Sequence, residues 1–184
     1  LVRRLMSGFV FLFIDGTEGV LGYGIQGYER RMVGEPAGET DIKGGREGFT
    51  ETLNTNVSLI RRRMKTPDLR LERFVIGKKS KTDVAFIYLK DKIDRKMLRD
   101  MRKKLSAVEL ETVLSSGYIR PFLENDKFSF FDTVGVTERP DVLCGKILEG
   151  RIAMLIDGSP YALIVPYLFI ENFQTLDDYS SRPF

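Results

Sequence analysis

The chain has 184 residues, 42% of them hydrophobic, which is enough to bury one sizeable core or two small ones joined by a linker. Its formal charge of +3 is mild and the two signs are interspersed, so no general attraction to nucleic acid or anionic lipid is expected. Histidine is absent and cysteine occurs once, which removes a Ser-His-Asp triad, a Cys-His pair, ordinary zinc sites and an internal disulfide; no catalysis, metal or other cofactor is expected.

No signal peptide opens the chain, and Leu1 is not a natural start, so a piece of a longer protein is expected. Residues 5–17 align without a gap on residues 147–159, matching Gly8 to Gly150, Ile14 to Ile156, Asp15 to Asp157 and Gly16 to Gly158. Each copy reads as a helix end, a capping glycine, a strand, an Asp-Gly turn and a second strand. Asp15 and Asp157 could suggest the paired acids of a glycosidase, but an Asp-Gly turn accounts for each through a local backbone hydrogen bond. Residues 22–27 fit the letters of a dinucleotide fingerprint, yet no adequate helix follows to hold a pyrophosphate.

Residues 31–45 carry Pro36 and several glycines among charges and read as an extended linker. Next comes Gly44-Gly45-Arg46-Glu47-Gly48-Phe49-Thr50-Glu51, running into Thr55-Asn56 and Leu59-Ile60-Arg61-Arg62-Arg63. Phe49, Leu53, Val57, Ile60 and Met64 recur three or four apart, so a helix over 47–64 is expected, with arginines at the dipole's negative end. Its Thr and Asn residues are poor helix formers that local stability does not explain. The arginines read as a solvated or ion-paired helix end or as an interface, with Glu47, Glu51, Glu138 and Arg139 as candidate partners.

Two strands are expected at 69–76 and 83–89 around a solvated loop at 77–81, where Gly77-Lys78-Lys79-Ser80 lacks the upstream glycine of a phosphate loop. Asp94 should cap a helix whose apolar face is Met97, Leu98, Met101 and Leu105, followed by a short strand near 108–112. A second helix opens at Ser115 or Ser116 toward Asn125, kinked or shortened by Pro121, and a third runs from Thr137-Pro140 to Gly150. Cys144, among Val142, Leu143 and Ile147, reads as a small buried apolar residue. The run at 161–170 is broken by Pro166 and is shorter than the roughly 20 apolar residues a membrane span needs.

Strands alternating with helices indicate an α/β fold of two small lobes with mixed β-sheets and flanking helices, joined by a linker and helix. The expected divisions are 1–34 for the end of a first lobe, 35–66 for the linker and helix, 67–176 for a second lobe and 177–184 for a tail. A ligand, if one binds, would be expected in a cleft between lobes.

The segment from Glu35-Pro36 through Gly44 to Glu51, Thr55-Asn56 and Leu59 to Arg63 resembles the GerA-type A subunits of bacterial spore germinant receptors. Further matching words are Ser116-Gly117-Tyr118-Ile119, Thr137-Glu138-Arg139-Pro140-Asp141, Leu148 to Gly158 and Asp177-Asp178-Tyr179. Gly45 stands where that family usually has proline, and Arg120-Pro121 replaces an acidic pair. The resemblance implies a non-enzymatic region that helps trigger germination when nutrients appear. It further implies receptor B and C subunits as partners, self-association of the full-length A subunit around an ion path, and a small nutrient germinant as a possible ligand. Membrane helices would follow the Asp-Asp-Tyr word, anchoring the protein in the inner spore membrane with this region facing the spore core. Arg46, Glu47, Glu51, Arg61, Arg62, Arg63, Glu138 and Arg139 are the candidates for a subunit interface or coupling surface. A SpoVA-group relative of spore ion release, or a stand-alone α/β small-molecule-binding module, is the alternative.

Overall fold

A computed structural model of the chain describes residues 2–5, 9–24, 47–124 and 133–168. The expected linker at 31–45, the tail at 177–184 and Arg46 lie outside the described residues. In chain order the elements are α1 (Val2–Leu5), β1 (Phe9–Phe13), β2 (Val20–Gly24), α2 (Leu53–Arg63), β3 (Leu69–Ile76), β4 (Thr82–Leu89), α3 (Arg95–Ser106), α4 (Ser116–Leu123), β5 (Gly135–Thr137), α5 (Pro140–Leu148), β6 (Ile152–Ile156) and β7 (Ala162–Val165).

The α/β class with flanking helices holds. Strands β1 and β2 form a two-stranded sheet, and a five-stranded sheet has the order β3-β4-β6-β7-β5. Every pairing among the described strands is antiparallel, so the sheets are not mixed as expected. The large sheet is built from two hairpins, β3-β4 and β6-β7, and a hairpin can only be antiparallel. The long connection through α3, α4 and α5 then returns β6 against β4 in the opposite sense.

Alternation along the central strands decides which helices lie on which side. Ala85, Ile87, Leu89, Ala153, Leu155, Ala162 and Ile164 join α2 and α5 in one apolar core. Val84, Phe86, Tyr88, Ile152, Met154, Ile156, Leu163 and Val165 join α3 and α4 in the other. The central strands are therefore apolar on both faces, as a sheet between two helical layers requires.

Helix α3 starts as its cap predicts, with Asp94 Oδ1 accepting from Lys96 N at 2.7 Å, and Leu98, Met101 and Leu105 are buried. Helix α5 has Pro140 in its first turn, and α4 keeps Pro121 inside its eight residues. Two expectations fail locally. Residues 108–112 are not a strand: Leu110 O and Glu111 O accept from Lys78 N and Lys79 N at 2.9 and 2.7 Å, so the segment tethers the β3-β4 loop. The second failure is the start of α2, which opens at Leu53 rather than at Glu47. Thr50 and Asn56 bond to each other across that boundary, holding 47–52 as an irregular strap.

The sequence repeat is a structural one and extends past the aligned words. Gly16 and Gly158 both have φ of +81, the left-handed conformation an Asp-Gly turn requires. Carried forward in the same register, the repeat matches β2 to β7, and the pairings Val10↔Tyr23 and Leu12↔Leu21 fall on Ile152↔Val165 and Met154↔Leu163. Helix α1 corresponds to the last turn of α5. In β1-β2, glycines also face aromatics: a Cβ on Gly22 would come within 2.9 Å of the Phe11 ring.

Candidate functional site

The words singled out in the sequence converge where the strap crosses the end of the large sheet. The backbone carries the first contacts. Phe49 N donates to Glu138 O at 2.8 Å, and Gly158 N donates to Glu51 O at 2.7 Å. The strap thereby joins the loop before α5 to the β6-β7 turn, and Phe49 is buried in the α2-α5 core.

Asn56 is fully buried, and its side chain is satisfied by one residue of the strap. Its Oδ1 accepts from Thr50 N at 2.8 Å and from Thr50 Oγ1 at 3.2 Å, while its Nδ2 donates to Thr50 O at 2.5 Å. A buried amide satisfied in this way fixes local geometry, because loss of either partner leaves polar atoms without bonds. This accounts for Thr50 and Asn56, two of the residues that helix propensity does not explain.

Thr52, the residue before α2, makes no side-chain cap. The carboxylate comes instead from Asp157, whose Oδ1 accepts from Leu53 N at 2.9 Å. Asp157 was expected to make only a local turn bond; its carboxylate instead bonds a residue 104 positions earlier. The same turn holds Ser159, whose Oγ donates to Ser116 Oγ at 3.2 Å inside the protein. Ser116 opens α4, so the Ser-Gly-Tyr-Ile word meets the Asp-Gly word here.

At the other end of α2, Glu47 receives both Arg62 and Arg63. Arg63 Nη2 lies 2.5 Å from Glu47 Oε2, and Arg62 Nη2 donates to both carboxylate oxygens. Partial burial raises the Glu47 carboxyl, but the two guanidinium bonds outweigh it and hold the group below its ordinary value. Arg61 is exposed, and among the described residues no ion pair joins it.

Arg139 is 3% exposed and grips Asp141, with Nη2 to Oδ2 at 2.6 Å and Nε to Oδ1 at 3.2 Å. Its own N donates to Thr137 Oγ1 at 3.1 Å. Burial raises the Asp141 carboxyl, and the Arg139 bonds bring it below the usual carboxylate range. Cys144 is buried as expected, and desolvation pushes its thiol up to about 12, so little nucleophilic thiolate exists at neutral pH.

The structure thus brings Glu47, Arg62 and Arg63 together, while the backbone carbonyl of Glu51, within the same strap, bonds Gly158 and that of Glu138 bonds the strap at Phe49. Arg139 turns inward to Asp141, and Arg61 stays on the surface. Sequence reasoning missed Asp157, Asp141 and the partnership of Thr50 with Asn56. The available signal was an unfavourable helix residue close to a threonine in the same word. A groove of about 310 Å³ opens elsewhere, between the β3 edge and the end of α3, and none of the described candidates lines it. Among the described residues no group of three or more His, Cys, Asp or Glu could hold a metal, and no helix is long and apolar enough to cross a membrane.

Comparison with known proteins gives this arrangement a context. A family model described as Bacillus/Clostridium GerA spore germination protein matches residues 1–184. Spore germination protein KA of Bacillus subtilis is 41% identical over 182 residues, which cover 99% of this chain and 34% of that protein. The membrane protein YfkQ of Bacillus subtilis is 40% identical over 178 residues, 97% of this chain and 35% of that protein. The crystal structure of the N-terminal domain of the A subunit of the Bacillus megaterium spore germinant receptor GerK3 is 39% identical, with a TM-score of 0.66, covering 91% of this chain and 59% of that one. The chain spans about a third of the length of the curated relatives it matches.

Proposed function

This chain belongs to the GerA family of spore germination proteins, and from that membership we propose that it is part of the N-terminal region of a germinant receptor A subunit. The observation that carries the reading is the 39% identity and TM-score of 0.66 to the N-terminal domain of the GerK3 A subunit. In this role it takes part in nutrient-triggered germination, assembling with B and C subunits and further A subunits and passing a signal to an ion path. It works without catalysis or a resident cofactor, a reading supported by the absence of histidine and by a buried, protonated cysteine. Parts of the protein outside these residues hold it in the spore inner membrane, with this region facing the spore core. The name of its relative YfkQ, a membrane protein, supports the attachment.

The strap and the end of α2 form the coupling surface. Glu47 fixes Arg62 and Arg63 within the chain, which leaves Arg61 as the arginine free to meet a neighbouring subunit. Spores that lack the full-length protein should lose their response to at least one nutrient in a panel of amino acids and sugars. In spores that carry it, Arg61→Glu should slow germination at normal receptor levels and unchanged melting temperature, because a charge at an exposed rim affects association more than folding. An unchanged response of the deletion spores across the panel overturns the receptor reading. Wild-type rates with Arg61→Glu remove only the coupling surface.

A further inference from the structure

The two signs of charge are mixed along the chain as a whole but not along the segment that carries α3. Residues 90–104 hold eight Lys and Arg against three Asp, a net of +5, whereas the full chain carries +3, so everything outside the segment amounts to −2. Two of the eight cations are tied inward: Arg102 pairs with Glu72 on β3, and Lys104 Nζ donates to Leu123 O at 2.6 Å at the end of α4. The other six, Lys90, Lys92, Arg95, Lys96, Arg99 and Lys103, are exposed, and among the described residues no ion pair joins any of them. Elsewhere comparable groups have carboxylates, with Arg62 and Arg63 at Glu47, Arg139 at Asp141, and Lys146 and Arg151 at Glu149. The placement of the six does not serve the helix either. Lys103 suits the last turn, but Arg95 and Lys96 occupy a first turn that has no acidic residue, where the positive end of the dipole disfavours cations. Arg95, Arg99 and Lys103 recur every four residues, so they stand in one row about 12 Å long with Lys96 beside it, and like charges at that spacing repel. An anion outside the protein would relieve both costs.

From this row we infer that α3 is the face by which the region docks on an anionic lipid bilayer, with Arg95, Lys96, Arg99 and Lys103 against the phosphates of the leaflet and Lys90 and Lys92 extending the contact. The inference rests on the membrane attachment proposed above. A lipid surface fits the row better than other anionic partners do. A protein partner would need an apolar centre to its interface, and Leu98, Met101 and Leu105, the apolar side of α3, are buried in the core. A nucleic acid long enough to bend round the protein would meet the remaining surface, whose net charge is −2, whereas a plane touches one side alone. The row is straight and belongs to the outer helical layer formed by α3 and α4, so a flat surface can meet it at every position. Each cation brought near such a surface strengthens association about fivefold, and four of them suffice to orient a region that other segments already hold at the membrane.

The test uses the full-length protein reconstituted in nanodiscs of phosphatidylcholine alone or with about one third phosphatidylglycerol, lipids that carry no reactive amine. Lysines are acylated with an amine-reactive ester, and their rates are read residue by residue by mass spectrometry. Lys96 and Lys103 should react at least roughly threefold more slowly in the anionic discs. Lys65, next to Met64 of the α2-α5 core on the other side of the sheet, should react equally in both. Raising the salt to about 0.5 M should remove most of the slowing, because screening then acts within a few ångströms. In a protein combining Arg95→Gln, Arg99→Gln and Lys103→Gln, Lys92 and Lys96 should lose the difference between the discs at an unchanged melting temperature. Equal rates for wild-type Lys96 and Lys103 in the two discs overturn the docking and leave the receptor reading, which the deletion spores decide, untouched. Slowing that is as large at Lys65, or that survives the three substitutions, also removes the row from the contact. Slowing by duplex DNA in detergent, with none in the anionic discs, assigns the row to nucleic acid instead. A protein recovered free of either disc overturns the membrane attachment itself, and the inference with it.

Discussion

The two Asp-Gly hairpins have the same pairing register and the same turn, yet one lies at the centre of the protein and the other is open on both faces. Backbone conformation in such a unit is thus set locally, by the turn glycine and cross-strand pairing, whereas burial is set by what the rest of the chain brings to it. The strap at 47–52 marks the difference. It ties the β6-β7 turn to α2 and to the loop before α5, and no described segment does this for the β1-β2 turn. Stability should therefore respond differently to equivalent changes in the two copies of the 184-residue chain.

The largest contrast is expected in the strands. Met154→Ala removes a fully buried side chain from the α3-α4 core and should cost about 2–5 kcal/mol, measured by urea denaturation. Leu12→Ala, at the matching position, should change stability by less than about 0.5 kcal/mol because its side chain is 49% exposed. Similar losses at both positions would mean that the two hairpins are equally packed.

A smaller contrast lies in the turns. Gly158→Val forces a β-branched residue to a φ of +81, where its Cβ would stand 3.4 Å from Leu114 O, and should cost on the order of 1–3 kcal/mol. Gly16→Val meets the same φ but nothing within 4 Å, so it should lose about 1 kcal/mol less. Equal thermal shifts for the two substitutions would show that the contact with Leu114 adds nothing to the turn's constraint.

How much of this was legible follows from the range of each signal. The strands at 69–76 and near 82–89, the cap at Asp94 and the proline at the start of α5 rest on local periodicity and capping, and they were readable. The start of α2 was not, because the apolar spacing runs on through Phe49 while the Thr50–Asn56 bonds interrupt the helix. Strand β5, only three residues long, exists through its pairing with β7, and its own sequence carries too little pattern to announce it. At the candidate site the charged partners Glu47, Arg62 and Arg63 were named, since ion pairs follow from residue type and nearness. Asp157 reaching Leu53 was not, because a contact between distant segments leaves no trace in either segment's own periodicity.

The smallest expected effect would loosen the strap at its first anchor and make the buried hairpin more like the open one. Glu47 is held below its ordinary pKa when folded, since Arg62 and Arg63 outweigh the opposing effect of burial. A depressed folded value means that the ion pair stabilises the protein above the unfolded carboxylate's pKa, near 4.3, and that this contribution disappears as pH falls through the lower folded value. Glu47→Gln should therefore lower the melting temperature at pH 7, by an amount equivalent to less than about 1 kcal/mol because the carboxylate is 35% exposed to screening solvent. The deficit should shrink below about pH 4, where the wild-type carboxyl becomes protonated and the two proteins converge. Raising the salt concentration at pH 7 should narrow the gap as well, because exposed ion pairs are screened. A deficit of the same size at pH 3 and pH 7 would instead mean that Glu47 holds the strap through its shape and hydrogen bonds, with its charge contributing nothing.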